Sequence, residues 1–220
     1  MNCYLCFSPI VPEVNWTNFL LPGIEKKICV TCEEGFERIS DECCPMCSRP
    51  GKGRCGDCTR WEEMLPGVLD QNHSVLTYNA FAKDFVAKWK YRGDYAAVEA
   101  LEAAMKEKWK LLNLEDYLAV CVPLSLERGK ERGFNQSEAL IRMVGKDPAH
   151  LFERIHGEKQ SKRTRRARME AENPFSLIKP TNQPVIIVDD IYTTGRTVRH
   201  MASLLKENGC PRVRSFTIFR

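Results

Sequence analysis

The chain has 220 residues, 43% of them hydrophobic and 28% charged, with a formal net charge of +4, which supports a packed soluble core in one ordinary domain with a small one attached. No run of 18 apolar residues occurs, which excludes a transmembrane helix. The opening Met-Asn-Cys-Tyr-Leu-Cys has neither a charged n-region nor an apolar h-region, so no secretory signal is expected and the chain is expected in the cytoplasm.

Nine of the eleven cysteines lie in the first 58 residues, and eight of them form four Cys-x-x-Cys pairs: Cys3/Cys6, Cys29/Cys32, Cys44/Cys47 and Cys55/Cys58. Each pair brings two thiolates to one ion from a tight knuckle, and two knuckles complete a tetrahedral site. Pairing in chain order makes one site of the first two knuckles and another of the last two; an interleaved pairing satisfies the spacing as well. A disulfide framework needs an oxidising compartment, and a redox pair needs only one Cys-x-x-Cys in a βαβ context. Residues 1–60 are therefore expected to hold two structural zinc ribbons. Their closed four-cysteine sites leave no position for catalysis, and metal binding supplies the folding energy that so small a core lacks. Cys43 adjoins Cys44 and could compete for the same ion. Cys121 and Cys210 read as packing residues.

Residues 61–72, with Pro66-Gly67, read as a linker to a second domain, 73–220. There strand and helix patterns alternate. The run 73–78 reads as a strand, and Asn79 opens a helix through Phe81, Phe85, Val86 and Trp89 at helical spacing. Tyr91-Arg92-Gly93-Asp94 breaks it, and Asp94 can cap a second helix reaching about Leu112. The run 117–122 reads as a buried strand ending at Pro123. A charged loop with two glycines follows at 124–133, then a helix capped by Asn135 over 135–144. A short strand is expected at 151–155 and another, pairing back on it, at 175–178. Between them lies a basic segment. Lys159, Lys162, Arg163, Arg165, Arg166 and Arg168 occur there with no acid among them; without those six, the 33 basic residues fall to 27, against 29 acidic. The positive charge is thus a local feature, suited to a local anionic partner. Strands at 185–190 and 213–219 flank a helix at 197–208 that Gly209 stops. Alternating strands and helices predict a parallel α/β sheet, which binds ligands beyond the carboxyl ends of its strands. The segments after 117–122 and after 185–190 are expected to meet at one such crevice.

The most telling segment is Val185-Ile186-Ile187-Val188-Asp189-Asp190-Ile191-Tyr192-Thr193-Thr194-Gly195-Arg196-Thr197. A β-branched run ends in two carboxylates, and a Thr/Gly turn then opens a helix. Backbone N–H groups, hydroxyls and a helix N-terminus suit a phosphate. The carboxylates can accept from sugar hydroxyls or hold a hydrated cation. Together these describe a phosphorylated ribose. A second motif, Arg132-Gly133-Phe134-Asn135-Gln136, follows a strand and opens a helix; with Arg128 and Lys130 it can face a pyrophosphate.

The first motif resembles the phosphoribosyl-diphosphate (PRPP) loop of type I phosphoribosyltransferases. The order of four knuckles, Trp89-Lys90-Tyr91-Arg92-Gly93-Asp94, Val122-Pro123 with Arg132–Gln136, and the loop at 189–197 resembles the ComF (ComFC-type) competence family over nearly the whole chain. The resemblance implies an amino-terminal zinc ribbon joined to a type I phosphoribosyltransferase-like domain. It also implies a role in bringing single-stranded DNA into the bacterial cytoplasm beside a helicase-like ATPase. A further reading is an adaptor whose ribbons dock a partner protein through exposed loops such as 7–28. Asp189 and Asp190 would contact the ribose hydroxyls with Mg²⁺ nearby. Thr193, Thr194, Gly195, Arg196 and Thr197 would hold the 5′-phosphate, and Arg128 and Arg132 the pyrophosphate. The basic segment stands where the family has a mobile loop. Gln160 and Arg168 fit that loop, whereas Arg163 replaces the usual Leu and Asn173 is off its spacing; Arg196 stands where a small residue is common. A loop this basic suits a polyanion, so Lys162, Arg163, Arg165, Arg166 and Arg168 are the expected single-strand contacts; Trp89, Tyr91 and Phe134 could supply stacking, though each suits the core equally well. An active transferase is the alternative, its acceptor unreadable because no base-reading pocket is recognisable.

Overall fold

The computed structural model describes residues 1–11, 26–91, 95–155 and 173–220. The basic segment, the Arg92-Gly93-Asp94 break and residues 12–25 of the ribbon loop lie outside the described residues, as does the side chain of Tyr91. Among the described residues no helix is long and apolar enough to cross a membrane.

In each ribbon the second knuckle opens a helix. Cys29 precedes α1 (Val30–Glu34), which carries Cys32, and Cys55 precedes α2 (Gly56–Met64), which carries Cys58. A helix N-terminus favours thiolate charge, so this placement suits four sulfurs around a cation. α2 continues through Trp61 to Met64, into the stretch read as a linker.

The second region follows the order β1 (Gln71–Leu76), α3 (Ala80–Tyr91), a 3₁₀ segment (Tyr95–Leu101), α4 (Glu102–Leu111), β2 (Leu118–Cys121), α5 (Leu126–Arg132), α6 (Gln136–Met143), β3 (Phe152–Arg154), β4 (Phe175–Leu177), β5 (Val185–Ile191), α7 (Arg196–Glu207) and β6 (Val213–Phe219). The sheet runs β1-β6-β5-β2, with all three pairings parallel. β3 and β4 form a separate antiparallel pair, Phe152 opposite Leu177. The expected α/β sheet and the back-pairing of 175–178 are both present.

Two expectations need correction. The charged stretch 124–133 is not a loop: Ser125 accepts from the Arg128 N–H at 3.3 Å and starts α5, and Gly133, at φ 71°, closes it by donating to Gly129 O. A cap at one end and a left-handed glycine at the other outweigh the interior Gly129. β1 begins at Gln71 rather than 73, because parallel pairing with β6 starts at Gln71 opposite Arg214. Its polar start hides a strand whose second residue, Asn72, is fully buried.

The strands alternate sides. Ile186, Val188, Phe216 and Ile218 pack toward Trp89, Met105, Trp109 and Leu140, joined on that face by Cys3, Leu5 and Cys32 of the first ribbon. Val185, Ile187 and Val213 face the opposite way, toward Met201, Ala202 and Leu205 of α7 and toward Cys44, Cys47 and Cys58 of the second ribbon. Each ribbon thus shares a core with one face of the sheet. Trp89 is fully buried and stacks near Phe134 (6.1 Å), so it is a core residue and not a base-stacking surface.

A buried polar network docks the second ribbon. Asn72 donates to Ser74 Oγ (2.8 Å) and Cys47 O (3.4 Å), and its Oδ1 accepts from Ser215 (2.8 Å). Ser48 Oγ donates to Asn72 O (3.0 Å). Replacing Asn72 by Leu orphans several of these groups, each worth about 1–3 kcal/mol. Urea unfolding of Asn72→Leu is expected to show a loss of at least that size; a change below about 0.5 kcal/mol would mean that the network does not hold the ribbon.

Candidate functional site

The eight knuckle cysteines gather into two groups in chain order. The sulfurs of Cys3, Cys6, Cys29 and Cys32 lie within 4.8 Å of one another, and so do those of Cys44, Cys47, Cys55 and Cys58. The interleaved alternative does not occur. All eight are free thiols, with Cys6–Cys29 and Cys47–Cys55 sulfur distances of 3.6 Å. Tetrahedral zinc with bonds of ~2.3 Å needs sulfurs ~3.8 Å apart, so both groups fit that ion. Cys43 belongs to neither group. Its backbone instead bridges to Pro50. In the second group the hydrogen bond with Cys58, and then the Arg220 guanidinium, bring the Cys47 thiol down to about 4.

β5 delivers Asp189 and Asp190 to the carboxyl edge of the sheet. Asp190 is buried and ion-paired with Lys90 from the end of α3. Asp189 is half-buried; burial and then the Asp190 carboxylate push it up to about 7, against the pull of Lys90. Its Oδ1 accepts from the Asp190 N–H (2.9 Å), and Asp190 Oδ1 from the Ile191 N–H (2.8 Å), which fixes both carboxylates at the strand end.

Tyr192 then turns the chain into Thr193-Thr194-Gly195 and α7. Gly195 has φ 78°, and a Cβ there would run into the Tyr192 hydroxyl and the Arg199 guanidinium. Thr193 is exposed, Thr194 buried, and Arg196 and Thr197 half-buried at the N-terminus of α7. The first turn of a helix leaves N–H groups without intrahelical partners and carries a positive dipole end. The arrangement can hold an anion beside two carboxylates.

The β2 side reaches the same edge. Asn135 caps α6 by accepting from the Ser137 N–H (2.9 Å) and donates to Val122 O (3.1 Å). Arg132 donates to Gln136 (2.8 Å), so its charge is oriented by α6. Burial, and then the Arg128 charge, pull Arg154 at the end of β3 below the usual guanidinium range, and Asp189 opposes them. Asn173 serves the fold: it donates to His200 O on α7 (2.8 Å) and accepts from the Phe175 N–H (3.0 Å).

Sequence reasoning missed the supports of the loop. Trp61 donates to Thr194 O (2.7 Å). Arg220 donates to Tyr192 O (3.1 Å) and Thr193 O (2.9 Å), and Arg199 to the Tyr192 hydroxyl. Nothing in local spacing signals these; Lys90 alone stood in a motif already singled out. Behind the loop is a cavity of about 320 Å³ lined by Arg49, Tyr78, Ile191, Tyr192, Thr193, Thr194 and Arg220. Cys121, Glu138 and His150 also gather at the end of β2, with Cys121 Sγ 3.3 Å from His150 Nδ1. Burial pushes the Cys121 thiol up to about 12, in keeping with a packing residue.

The family model described as "Phosphoribosyl transferase domain" matches residues 151–220. Competence protein ComFC of Bacillus subtilis (strain 168) is 33% identical, over 99% of this chain and 94% of that protein. ComFC of Streptococcus pneumoniae (strain ATCC BAA-255 / R6) is 32% identical over the full length of both chains. The DNA utilization protein YhgH of Escherichia coli (strain K12) is 26% identical, over 99% of this chain and 96% of that protein.

Elemental analysis of purified protein is expected to find two zinc ions per chain; one or none would contradict the pair of closed four-cysteine sites. Gly195→Ala is expected to lower stability by about 1–2 kcal/mol from the left-handed backbone alone, and by more from the overlap with Tyr192. A thermal melt of that variant coinciding with the parent's would mean that the turn has room to spare.

Proposed function

The chain belongs to the ComFC family of competence proteins, and on that premise we propose that it assists the internalisation of single-stranded DNA in natural transformation while binding PRPP with Mg²⁺. The observation that carries the ligand assignment is the placement of Asp189 and Asp190 at the end of β5, one turn before the Gly195-dependent entry to α7. Few ligands ask for a diol acceptor and a phosphate cradle so close together; a 5-phosphoribosyl group does.

In this reading Asp189 and Asp190 accept from the ribose hydroxyls, and Thr193, Thr194, Gly195, Arg196 and Thr197 hold the 5′-phosphate. Arg128 and Arg132 meet the pyrophosphate. Mg²⁺ bound with PRPP would neutralise charge on the pyrophosphate. Lys90 ion-pairs with Asp190 and orients it. The double ribbon of 1–60, joined through 61–72, supports the phosphoribosyltransferase-like unit of 73–220. The segment carrying Lys162, Arg163, Arg165, Arg166 and Arg168 takes the single strand, through charge. A helicase-like ATPase of the uptake machinery is the protein partner, and all of this takes place in the cytoplasm. An active phosphoribosyltransferase of unread acceptor is the alternative reading, and pyrophosphate release on addition of PRPP separates the two.

Two measurements test this. In Asp189→Asn/Asp190→Asn protein, Mg²⁺-dependent PRPP affinity is expected to fall at least about tenfold, the loss of roughly one charge-assisted contact; unchanged affinity would remove the site assignment. Neutralising Lys162, Arg163, Arg165 and Arg166 is expected to weaken single-stranded DNA binding and to reduce the slope of log affinity against log salt by about 3, at ~0.7 per lost phosphate contact. A variant with the parent's affinity and slope would place the strand elsewhere.

A further inference from the structure

The carbonyls of Tyr192, Thr193 and Thr194 all accept from side chains on the ribbon side of the loop. Arg220 Nη1 donates to the first two, at 3.1 and 2.9 Å, and Trp61 Nε1 to the third, at 2.7 Å. A trans peptide is planar, with its C=O and N–H pointing in opposite directions. Three carbonyls turned toward the ribbon therefore turn the N–H groups of Thr193, Thr194 and Gly195 away from it. Among the described residues none of these three N–H groups donates to protein. They stand beside the N-terminus of α7, where an anion is expected.

The same two side chains are anchored at the second four-cysteine centre. Arg220 Nε donates to Cys47 O (3.0 Å) and its Nη2 to Cys47 Sγ (3.2 Å). Its backbone is pinned as well, with N–H donating to Leu76 O (2.9 Å) and O accepting from the Tyr78 N–H (2.8 Å). Trp61 follows Cys58 by three residues on α2, is 1% exposed, and carries the Arg199 guanidinium 5.3 Å above its ring. Arg199 in turn donates to the Tyr192 hydroxyl. Four thiolates on one divalent cation carry a net charge of −2, and Arg220 is the guanidinium that faces it. The first centre is placed differently. Its neighbours Lys27, Glu99 and Glu102 form ion pairs at 2.9 and 2.8 Å, its cysteines pack on the other face of the sheet, and no described residue near it bonds to the loop.

We infer that Trp61 and Arg220 are positioning residues that make the second four-cysteine centre a structural part of the phosphate loop. Anion binding at the loop then depends on metal at that centre and not on metal at the first. This rests on the phosphoribosyl reading of the loop for the ligand, but not for the coupling itself. Loss of zinc from the second centre by chelation releases Cys47 and α2. The three carbonyls lose their anchors, and the N–H groups lose their common direction.

The test uses the full-length zinc-loaded chain and the variants Arg220→Met, Arg220→Lys and Trp61→Phe, with ribose 5-phosphate as the probe. The Met and Phe variants are expected to keep two zinc ions, to bind the probe at least tenfold more weakly, and to exchange the amide hydrogens of Thr193, Thr194 and Gly195 at least tenfold faster. The Lys variant, which reaches fewer acceptors, is expected to fall between. Cys6→Ser and Cys58→Ser, each losing one centre, are expected to split: only Cys58→Ser loosens the loop. Should Cys58→Ser fail to fold, the Arg220 and Trp61 variants decide alone. Parental exchange rates in both of them would overturn the inference, and so would equal loosening by Cys6→Ser. Faster exchange in a protein whose parent does not bind the probe would instead overturn the phosphoribosyl reading and leave the coupling standing.

Discussion

Three consecutive backbone carbonyls, those of Tyr192, Thr193 and Thr194, are held from behind by Arg220 and Trp61, and the candidate site has its shape because of that hold. A loop between a strand and a helix has many conformations of similar energy. Fixing one residue's backbone costs about 1–2 kcal/mol, and a phosphate arriving at a disordered turn would have to supply that ordering itself. Here the protein has supplied it in advance. The hydrogen bonds are charged or fully buried, and Gly195 removes the one Cβ that would block the turn.

The two ribbons share a ligand set but not a role. The first adds Cys3, Leu5 and Cys32 to the core beneath α3 and α4. The second reaches the carboxyl edge of the sheet, docked by the Asn72 network, and ends at the loop after β5. Between them the sheet holds two carboxylates whose placement is costly. Asp189 sits partly out of water beside a second acid, and Lys90 offsets only part of that cost. Native sites that carry such unfavourable electrostatics are commonly sites that bind something. A ligand rich in hydroxyls and accompanied by Mg²⁺ would relieve it.

Much of this was legible in the chain. Cys-x-x-Cys spacing announces metal knuckles whatever the fold around them. Four β-branched residues before Asp189 announce a buried parallel strand, and α7 shows its apolar face through Val198, Met201, Ala202 and Leu205. What was not legible depends on distance along the chain or on local caps. Trp61 and Thr194 are 133 residues apart, and Arg220 and Cys47 are 173 apart, so no window of sequence contains either contact. The start of β1 is hidden in the sequence because polar residues in a buried strand read as a loop until their partners are known. α5 was misread because Ser125 and Gly133, which set its ends, are also ordinary loop residues. By sequence Trp89 and Phe134 suit a surface and a core equally; packing buries Trp89 and sets the half-buried Phe134 against the same core.

The central claim is that the loop after β5 is a PRPP site within a ComFC-type chain. A calorimetric titration of the full-length zinc-loaded protein with PRPP, with and without Mg²⁺, tests it most directly. Saturable binding of one PRPP per chain that strengthens with Mg²⁺ is the predicted result. Absence of saturable binding, or binding indifferent to Mg²⁺, would contradict the site.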